Sequence, residues 1–252
     1  MIFKDKGYIG NFEMESPEDG KAKLADFIKE LAEHDEIIGP IDGSTWHSYR
    51  LVSFTDGSPS FPMEPTNPLW YNDVYTDLGF VPIKKYFSER FPIKDIKPYE
   101  KSNIVTIRQF KPEDLQAMYE ISKVGFADNF LYHPISYAEF EALYLPKISM
   151  VVHDFILVAE VDNKAVGFLF AFVYQDTLIL KSIAVLPEHR SASIGGRMVN
   201  VALVKAEAIV IKTAIGALFI EGNTSGKIVA NYGGEVFREY TLYGFKSSIE
   251  NA

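Results

Sequence analysis

The sequence predicts an α/β fold with a mixed sheet (α+β mixed sheet), and three observations support it. Apolar residues make up 47% of the 252 residues, enough for a substantial core. Strand-like apolar runs alternate with segments at helical spacing. A late strand also runs through a loop of small residues and two glycines into a helix, in "IAVLPEHRSASIGGRM" over 183–198.

In the first third of the chain, the sequence predicts short strands, two helices and the loops between them. A short strand over 7–14 precedes an amphipathic helix over 21–34. Residues 39–54 predict a loop followed by a strand. Residues 61–88 predict a strand, a break at Pro and Asn, a short helix ending at Gly79, and a final strand.

A charged segment with two prolines, "PIKDIKPYEKSN" over 92–103, is the best linker candidate and divides the chain into 1–97 and 98–252. The second part predicts the order β-α-α-β-β-β-α-β-α-β. Its elements are a strand over 104–110, a helix from Pro112, a loop over 125–136, a helix over 137–145, strands over 155–161, 165–174 and 177–185, a helix over 195–211, a strand over 217–222, a short helix over 225–231 and a strand over 236–245.

Composition restricts the function. A formal net charge of −9 argues against a nucleic-acid partner, because a phosphate backbone binds basic surfaces. The absence of cysteine excludes disulfides, thiolate metal sites and a cysteine nucleophile, and it suits a reducing cytosol. The start of the chain lacks the features of a signal peptide, and no apolar run resembles a membrane span. We therefore expect a cytoplasmic monomer or homodimer with no metal, nucleic-acid or membrane partner.

Three interpretations compete for the glycine-containing loop. It has no Gly-Lys-Ser/Thr ending for a P-loop, and its adjacent glycines sit too late for a dinucleotide fingerprint. The third is an anion site at a strand-to-helix junction. A helix N-terminus leaves N–H groups unpaired and favours phosphate, and Arg190 and Arg197 would add charge-assisted bonds. A surface turn with incidental arginines is the alternative.

The segment "LILKSIAVLPEHRSASIGGRMVNVALVKA" resembles motif A of the GNAT acetyltransferase superfamily. The family pattern V-x-P-x-x-R/Q-x-x-G-x-G/A is represented by Val185, Pro187, Arg190, Ser193 and Gly195. The resemblance extends over about residues 103–250, because the predicted element order matches that fold. It implies a GNAT fold with splayed central strands and acetyl-CoA as cosubstrate.

The resemblance also implies which residues bind the cosubstrate. The pantetheine arm would pair with the strand end, the pyrophosphate would lie on the loop amides, and the asparagine after the next strand would contact the cosubstrate. These residues are Ile183, Ala184, Val185, Arg190, Ser191, Ala192, Ser193, Ile194, Gly195, Gly196 and Asn223. Ser193 replaces the first loop glycine of the pattern. A positive φ at that position would cost on the order of 1 kcal/mol.

Acetyl transfer to an amine requires a neutral amine, a donor to the oxyanion and an acid for the leaving thiolate. The resemblance implies that the backbone N–H of Ile183 or Val185 serves the oxyanion. The usual tyrosine acid falls on Ala230, so Tyr232 is the candidate acid. Glu221 at the strand end is the candidate base, with a solvent-facing carboxylate as the alternative.

In the family, the loop between the first two helices walls the acceptor site. Here it carries aromatic residues that predict an acceptor with an apolar or aromatic part, although each alone would also suit core packing. They are Phe130, Tyr132, His133 and Tyr137.

The N-terminal part resembles a degenerate half of the same fold. "NPLWYNDVYTDLGF" is similar to the end of motif B, with Asn67 and Tyr75 ahead of Gly79-Phe80. The counterpart of motif A, "ESPEDGKAKL", has no arginine, and the region carries carboxylates that would repel a pyrophosphate. We therefore predict a GNAT-like N-terminal domain over 1–97 and an acetyl-CoA-binding GNAT domain over 98–252.

The leading hypothesis is an acetyl-CoA-dependent N-acetyltransferase that transfers directly to a primary amine of a small molecule or peptide. Direct transfer follows because no cysteine is available for a covalent intermediate. The alternative is a non-catalytic acyl-CoA-binding regulator, supported by Ser193 and Ala230. An aminoacyl-transfer enzyme of the same fold is disfavoured by the acidic charge, because its donor is RNA.

Overall fold

The computed structural model describes residues 6–10, 12–100 and 102–246. The chain divides into two compact units. Unit 1 comprises the described residues up to Phe87 and those from Phe237 onward, and unit 2 is Ser88–Val236. The domain boundary predicted from the sequence, between residues 97 and 98, lies inside unit 2. The division into domains 1–97 and 98–252 stays a prediction.

Strands and helices follow one another along the chain with short connections. The strands are β1 (Lys6–Tyr8), β2 (Glu36–Gly39), β3 (Leu51–Thr55), β4 (Val81–Pro92), β5 (Val105–Gln109), β6 (Ile156–Val161), β7 (Lys164–Tyr174), β8 (Thr177–Val185), β9 (Thr213–Ile220) and β10 (Glu235–Lys246). The helices are α1 (Pro17–Glu30), α2 (Tyr71–Asp77), α3 (Leu115–Gly125), α4 (Tyr137–Ser149), α5 (Ile194–Ala208) and α6 (Thr224–Ala230). Short 3₁₀ segments occupy Pro112–Asp114, His153–Phe155 and Pro187–Ala192.

In unit 1 the strand order is β1-β2-β10-β4, and β3 also pairs with β10. β1 is parallel to β2, whereas β10 is antiparallel to both β2 and β3. The apolar side of α1 and the short α2 pack on this sheet around Leu24, Val74 and Tyr75, which are fully buried. Burial of these side chains stabilises unit 1 by roughly 2 kcal/mol per large residue.

In unit 1 one predicted strand does not form, and one observed strand was not predicted. No strand forms at the start of 61–88, where the prolines at 62, 65 and 68 restrict the backbone and remove N–H donors. The strand β2 was not predicted, because its four residues are too few to show a period. α1 also begins earlier than predicted, at Pro17, since Ser16 caps it.

Unit 2 contains the sheet order β4-β9-β8-β7-β6-β5. β5 to β8 are antiparallel neighbours, and β8 is parallel to β9. The order of elements from β5 to β10 is the predicted one, which confirms the mixed α/β fold.

Helices cover both faces of the unit 2 sheet at the end of β8. Successive strand residues face opposite sides. The Ile183 side chain lies against Gly195 of α5, whereas Ala184 lies against Gly125 of α3. The two helices therefore lie on opposite faces.

No helix among the described residues is long and apolar enough to cross a lipid bilayer.

Candidate functional site

The central strands β8 and β9 separate at one end of the unit 2 sheet. Their pairing runs from Thr177↔Thr213 to Leu180↔Gly216 and stops there, although both strands continue. β7 stays paired with β8 as far as Val185. Along the described part of the chain, the end of β8 therefore has no strand partner on its β9 side. The predicted splay of the central strands is confirmed.

Backbone irregularities lie where the strands separate. The register of β7 and β8 shifts between the pairs Phe170↔Ser182 and Ala171↔Leu180, so Lys181 is an extra residue that forms a β-bulge. On β9, Leu218 has a φ of +61°, and its N–H donates to Ser88 Oγ at 3.2 Å. A bulge bends a strand and increases its twist, which opens the sheet at this level.

The loop after β8 ends in a strained residue. Residues Pro187–Ala192, which include the predicted Ser191 and Ala192, form a 3₁₀ segment, and α5 begins at Ile194. Ser193 between them has a φ of +53°, the left-handed conformation that glycine adopts without strain. The strain anticipated at this serine is therefore present, at about 1 kcal/mol.

The N-terminus of α5 is not capped by a side chain. Ser193 occupies the N-cap position but makes no capping hydrogen bond, and the first turn contains no acidic residue. The backbone N–H groups of Ile194, Gly195 and Gly196 are in this first turn, where an α-helix supplies no acceptor. The helix therefore presents amide donors and a positive dipole end, which favour an anion.

The corresponding region of unit 1 has the opposite character. Ser16 Oγ accepts from the N–H of Asp19 at 3.2 Å, and Asp19 Oδ2 accepts from the N–H of Glu15 at 3.0 Å. The hydrogen bond from Lys23 and that from Glu15 lower the pKa of Asp19, so it stays ionised. The start of α1 thus carries its own cap and carboxylates, which are unfavourable for a phosphate.

β1 and β2 also stay together beyond their ladder. The N–H of Ile9 donates to Ile38 O at 2.9 Å, and the N–H of Ile41 donates to Ile9 O at 2.7 Å. Asn67 and Tyr75 resemble motif B residues, but both take part in the packing of unit 1. Asn67 accepts from the N–H of Val52 and donates to its carbonyl, and Tyr75 is fully buried. Unit 1 therefore fits the interpretation as a degenerate half of the fold.

Two arginines flank the start of α5 and bind backbone carbonyls. Arg190 Nε lies 3.4 Å from Val185 O, and its Nη2 donates to Gly125 O at 3.2 Å. Arg197 Nη1 donates to Glu100 O at 2.9 Å. Neither arginine forms an ion pair with a carboxylate within the described ranges. Their charge is thus available to an anionic ligand on an otherwise acidic chain.

The two loop glycines have different surroundings. A β-carbon on Gly195 would lie 3.3 Å from Ile183 Cδ1 and from Ile228 Cδ1, so this glycine lets α5 approach β8 closely. Among the described residues, a β-carbon on Gly196 would meet the Tyr99 hydroxyl alone, at 3.5 Å. Gly195 therefore serves helix packing as well as the loop.

The structure places the candidate catalytic residues on either side of α6. Glu221 is exposed in the turn after β9. Tyr232 follows α6, and its ring stacks on Phe91 with centroids 5.6 Å apart. Burial raises the pKa of Tyr232, a hydrogen bond with Asn200 acts against this, and Tyr99 adds to it. These contacts join Tyr232 to β4 and α5, and its role as an acid stays a prediction.

Asn223 has a defined structural role. It is the N-cap of α6, and its Oδ1 accepts from the N–H of Gly226 at 2.9 Å. Its contact with the cosubstrate stays a prediction. A cap of this kind is worth about 1 kcal/mol.

The aromatic residues predicted for the acceptor site fall into two groups. Phe130, Tyr132 and His133 are half-buried in the loop between α3 and α4. Tyr137 lies on α4, where its hydroxyl donates to Glu141 Oε1 at 3.1 Å and its ring meets the edge of Tyr119. Tyr137 therefore packs between α3 and α4. The acceptor-binding role of all four stays a prediction.

Sequence reasoning missed Tyr99 and Asn200. Asn200 Oδ1 accepts from the N–H of Tyr99 at 2.9 Å, and its Nδ2 donates to Lys97 O at 3.0 Å. The segment interpreted as a linker thus binds α5 through specific hydrogen bonds. The available signal was one asparagine within the apolar stretch "MVNVALV" of a predicted helix.

Comparison with known proteins agrees with this geometry. Residues 152–232 match the family model described as an acetyltransferase (GNAT) domain. A GCN5-related N-acetyltransferase from Sphaerobacter thermophilus is 12% identical with a TM-score of 0.60, over 90% of this chain and 66% of that one. A glucosamine N-acetyltransferase region of a fungal multi-domain β-N-acetylglucosaminidase is 12% identical with a TM-score of 0.57, over 89% and 27%.

A tandem GNAT protein from the clavulanic acid biosynthesis pathway is 11% identical with a TM-score of 0.56, over 94% of this chain and 73% of that one. Of the first two solved structures, the Sphaerobacter enzyme and the fungal region, this chain spans less than two thirds of the length. No curated protein sequence matches it. At these identities the likeness shows the fold alone, while the family model identifies the domain. The chain thus carries a GNAT domain at residues 152–232 and has the GNAT fold.

Proposed function

We propose that this protein is an acetyl-CoA-dependent N-acetyltransferase that transfers the acetyl group directly to a primary amine. One observation carries the proposal: the end of β8 from Lys181 to Val185 has an open edge that leads to the uncapped N-terminus of α5. An extended ligand with amide groups and an anionic end would find both partners in sequence along this path.

The residues present fit acetyl-CoA. Its pantetheine arm has amide groups that would pair with the backbone of Ile183 to Val185 in the manner of an added strand. Its pyrophosphate would lie on the first-turn N–H groups of α5, with Arg190 and Arg197 beside it. When bound, acetyl-CoA supplies an activated acetyl thioester.

The chain's own groups would then serve the protons. Glu221, an exposed carboxylate at the strand end, would accept a proton from the amine through water. Burial raises the pKa of Tyr232, so this phenol keeps its proton at neutral pH and is suited to donate it. The backbone N–H groups at the end of β8 would donate to the developing oxyanion.

The acceptor is proposed to be an amine of a small molecule or a peptide. The net charge of −9 favours a cationic acceptor, since opposite charges raise its local concentration. A second candidate, a non-catalytic acyl-CoA-binding protein, is favoured by Ala230 at the usual acid position and by the stacking of Tyr232 on Phe91.

Calorimetry with acetyl-CoA, followed by a thiol-release assay over a panel of amines, separates these functions. We expect one binding site per chain, because the start of α1 is capped and acidic. Arg190→Ala should weaken binding about tenfold, as expected for a lost charge-assisted bond. Lys164→Ala at the exposed start of β7 is the control and should not change the affinity.

Each result of this experiment decides between the proposals. Thiol release above the hydrolysis background with any amine supports the transferase. Tight binding of acetyl-CoA without release by any amine supports the non-catalytic protein. Failure of the wild-type chain to bind acetyl-CoA would overturn both.

A further inference from the structure

The segment 96–100 is bound along α5 in a fixed register. The N–H of Ile96 lies 3.4 Å from Glu207 Oε1, near the end of the helix. At the middle of the helix, the Asn200 side chain binds both the N–H of Tyr99 and the carbonyl of Lys97. Asn200 is only 5% exposed, so a buried amide uses both of its polar atoms to hold this segment. The position of Tyr99 on the helix is therefore specified.

This register brings the Tyr99 side chain to the first turn of α5. Its hydroxyl lies 3.5 Å from the point that a β-carbon on Gly196 would occupy. Its ring faces the guanidinium of Arg197, with Cζ 5.2 Å from the ring centroid, and Arg197 also donates to the carbonyl of Glu100. Tyr99 as a whole is half-exposed.

We infer that Tyr99 is a further cosubstrate-binding residue, whose hydroxyl donates to the phosphate groups held at the start of α5. The inference rests on the proposed function, since it adds a residue to that site. Phosphate oxygens only accept hydrogen bonds, and a phenol is a donor beside the amides of Gly195 and Gly196. Arg197 stacks on the ring and adds positive charge at the same place. Asn200 is the positioning residue.

The chemical partner is thus the pyrophosphate part of CoA rather than its pantetheine arm. The open edge of β8 lies before the loop, whereas Tyr99 lies against the helix that follows it. A change at Tyr99 should therefore affect ligands that carry phosphate and leave ligands that lack it unchanged. This difference is a readout that a general structural defect would not produce.

The first test is Tyr99→Phe, studied by calorimetry with acetyl-CoA and with S-acetylpantetheine, which has no phosphate. We expect acetyl-CoA to bind about tenfold more weakly, since a hydrogen bond to a charged group is lost. S-acetylpantetheine should bind as it does to the wild type. The matched control is Tyr174→Phe, at the exposed end of β7, which should leave both affinities unchanged. An unchanged affinity for acetyl-CoA in Tyr99→Phe overturns the inference.

The second test uses the absence of cysteine from the chain. Tyr99→Cys introduces a single thiol, and its alkylation by iodoacetamide is followed by mass spectrometry. Desulfo-CoA should slow the reaction at least fivefold at saturation, whereas S-acetylpantetheine should not. The control Tyr174→Cys should react at one rate in all conditions. Equal rates with and without desulfo-CoA in Tyr99→Cys contradict the inference.

A third variant tests the positioning role. Asn200→Ala in the Tyr99→Cys background should abolish protection by desulfo-CoA, and thermal unfolding should show that the variant folds. If the wild type binds acetyl-CoA, but Tyr99→Phe binds it equally tightly and desulfo-CoA does not protect Tyr99→Cys from alkylation, only this inference fails. If the wild type does not bind acetyl-CoA, the proposed function fails with it.

Discussion

A β-carbon on Gly125 would lie 3.0 Å from the β-carbon of Ala184. The last residue of α3 therefore sits directly on the end of β8, and its carbonyl also accepts from Arg190. One residue thus fixes the helix, the open strand end and the loop arginine. A side chain at this position would separate these three parts of the site.

Gly125→Val should consequently weaken both the fold and the site. Overpacking at such a contact costs about 1–3 kcal/mol, and the displaced carbonyl would release Arg190. Urea unfolding should show the loss of stability, and calorimetry with acetyl-CoA should show weaker binding. Ala127→Val, two residues on and exposed, is the control. A variant at Gly125 with wild-type stability would show that α3 yields without cost.

Replacement of Ser193 by glycine should stabilise the protein. Serine at a φ of +53° is strained, whereas glycine adopts this conformation freely, so we expect a gain of about 0.5–1 kcal/mol in the free energy of unfolding. Ser193→Val should have the opposite effect, because a β-branched residue tolerates positive φ least. Thermal and urea unfolding measure both. A less stable Ser193→Gly would mean that the serine side chain makes a compensating contact.

Glu221 and Tyr232 should affect different protons in the reaction. Glu221→Gln should lower the transfer rate most at pH values below the pKa of the amine, where a base is required, by about 100-fold. Tyr232→Phe should slow thiolate departure and leave acetyl-CoA affinity unchanged. Thiol release across a pH series, with an amine that the wild type accepts, measures both effects. Wild-type rates in both variants would place the proton transfers on other residues.

The ion cluster of Arg108, Asp114 and Glu160 should make unit 2 sensitive to acid. Arg108 Nη1 and Nη2 donate to the two Asp114 carboxylate oxygens at 2.6 and 2.8 Å, and Nη2 also donates to Glu160 Oε1 at 2.6 Å. Burial alone would raise the pKa of Asp114, but the Arg108 guanidinium and the N–H of Lys111 hold it below its usual 3.8.

A carboxyl group whose pKa is lower in the folded than in the unfolded protein stabilises the fold at pH values above its unfolded-state pKa. This stabilisation is lost as the pH falls through its folded-state pKa. Asp114→Asn should therefore cost about 2 kcal/mol at pH 7. The difference from wild type should shrink as the pH falls below about 4. Urea unfolding at several pH values measures it, with Asp176→Asn in the exposed β7–β8 turn as control. A difference independent of pH would show that the charge of Asp114 is unimportant.

Local sequence patterns predicted unit 2 well. β8 has its predicted limits, Thr177–Val185, because an almost continuous apolar run followed by Pro187 marks both its burial and its end. The resemblance of the strand-to-helix loop to motif A of the GNAT superfamily implied the splay beside it. β2 was not predicted because four residues show no period, and the strand predicted at Phe61 does not form because the prolines after it restrict the backbone.

The contacts around Tyr99 could not be predicted, because they depend on tertiary placement. The sequence of 92–103 is charged and contains prolines, which is typical of a linker. Only the fold shows that Asn200, about a hundred positions later, holds it to a helix. The two roles of Gly195 and Gly196 were hidden for the same reason: neighbouring glycines look alike until the groups around each are known.

β10 pairs with β2 and β3, and the whole of unit 2 lies between these strands in the chain. During synthesis, residues 88–236 therefore leave the ribosome before β10, the strand that completes unit 1. The pairing of β10 with β2 and β3 joins residues roughly 200 positions apart and therefore forms slowly, whereas unit 2 can form its contacts within residues 88–236. We therefore expect the later segment to fold first, which reverses the usual order from the N-terminus. Pulse-labelled hydrogen exchange during refolding should show α5 protected before β2, and until then the edge of β2 is exposed to incorrect pairing.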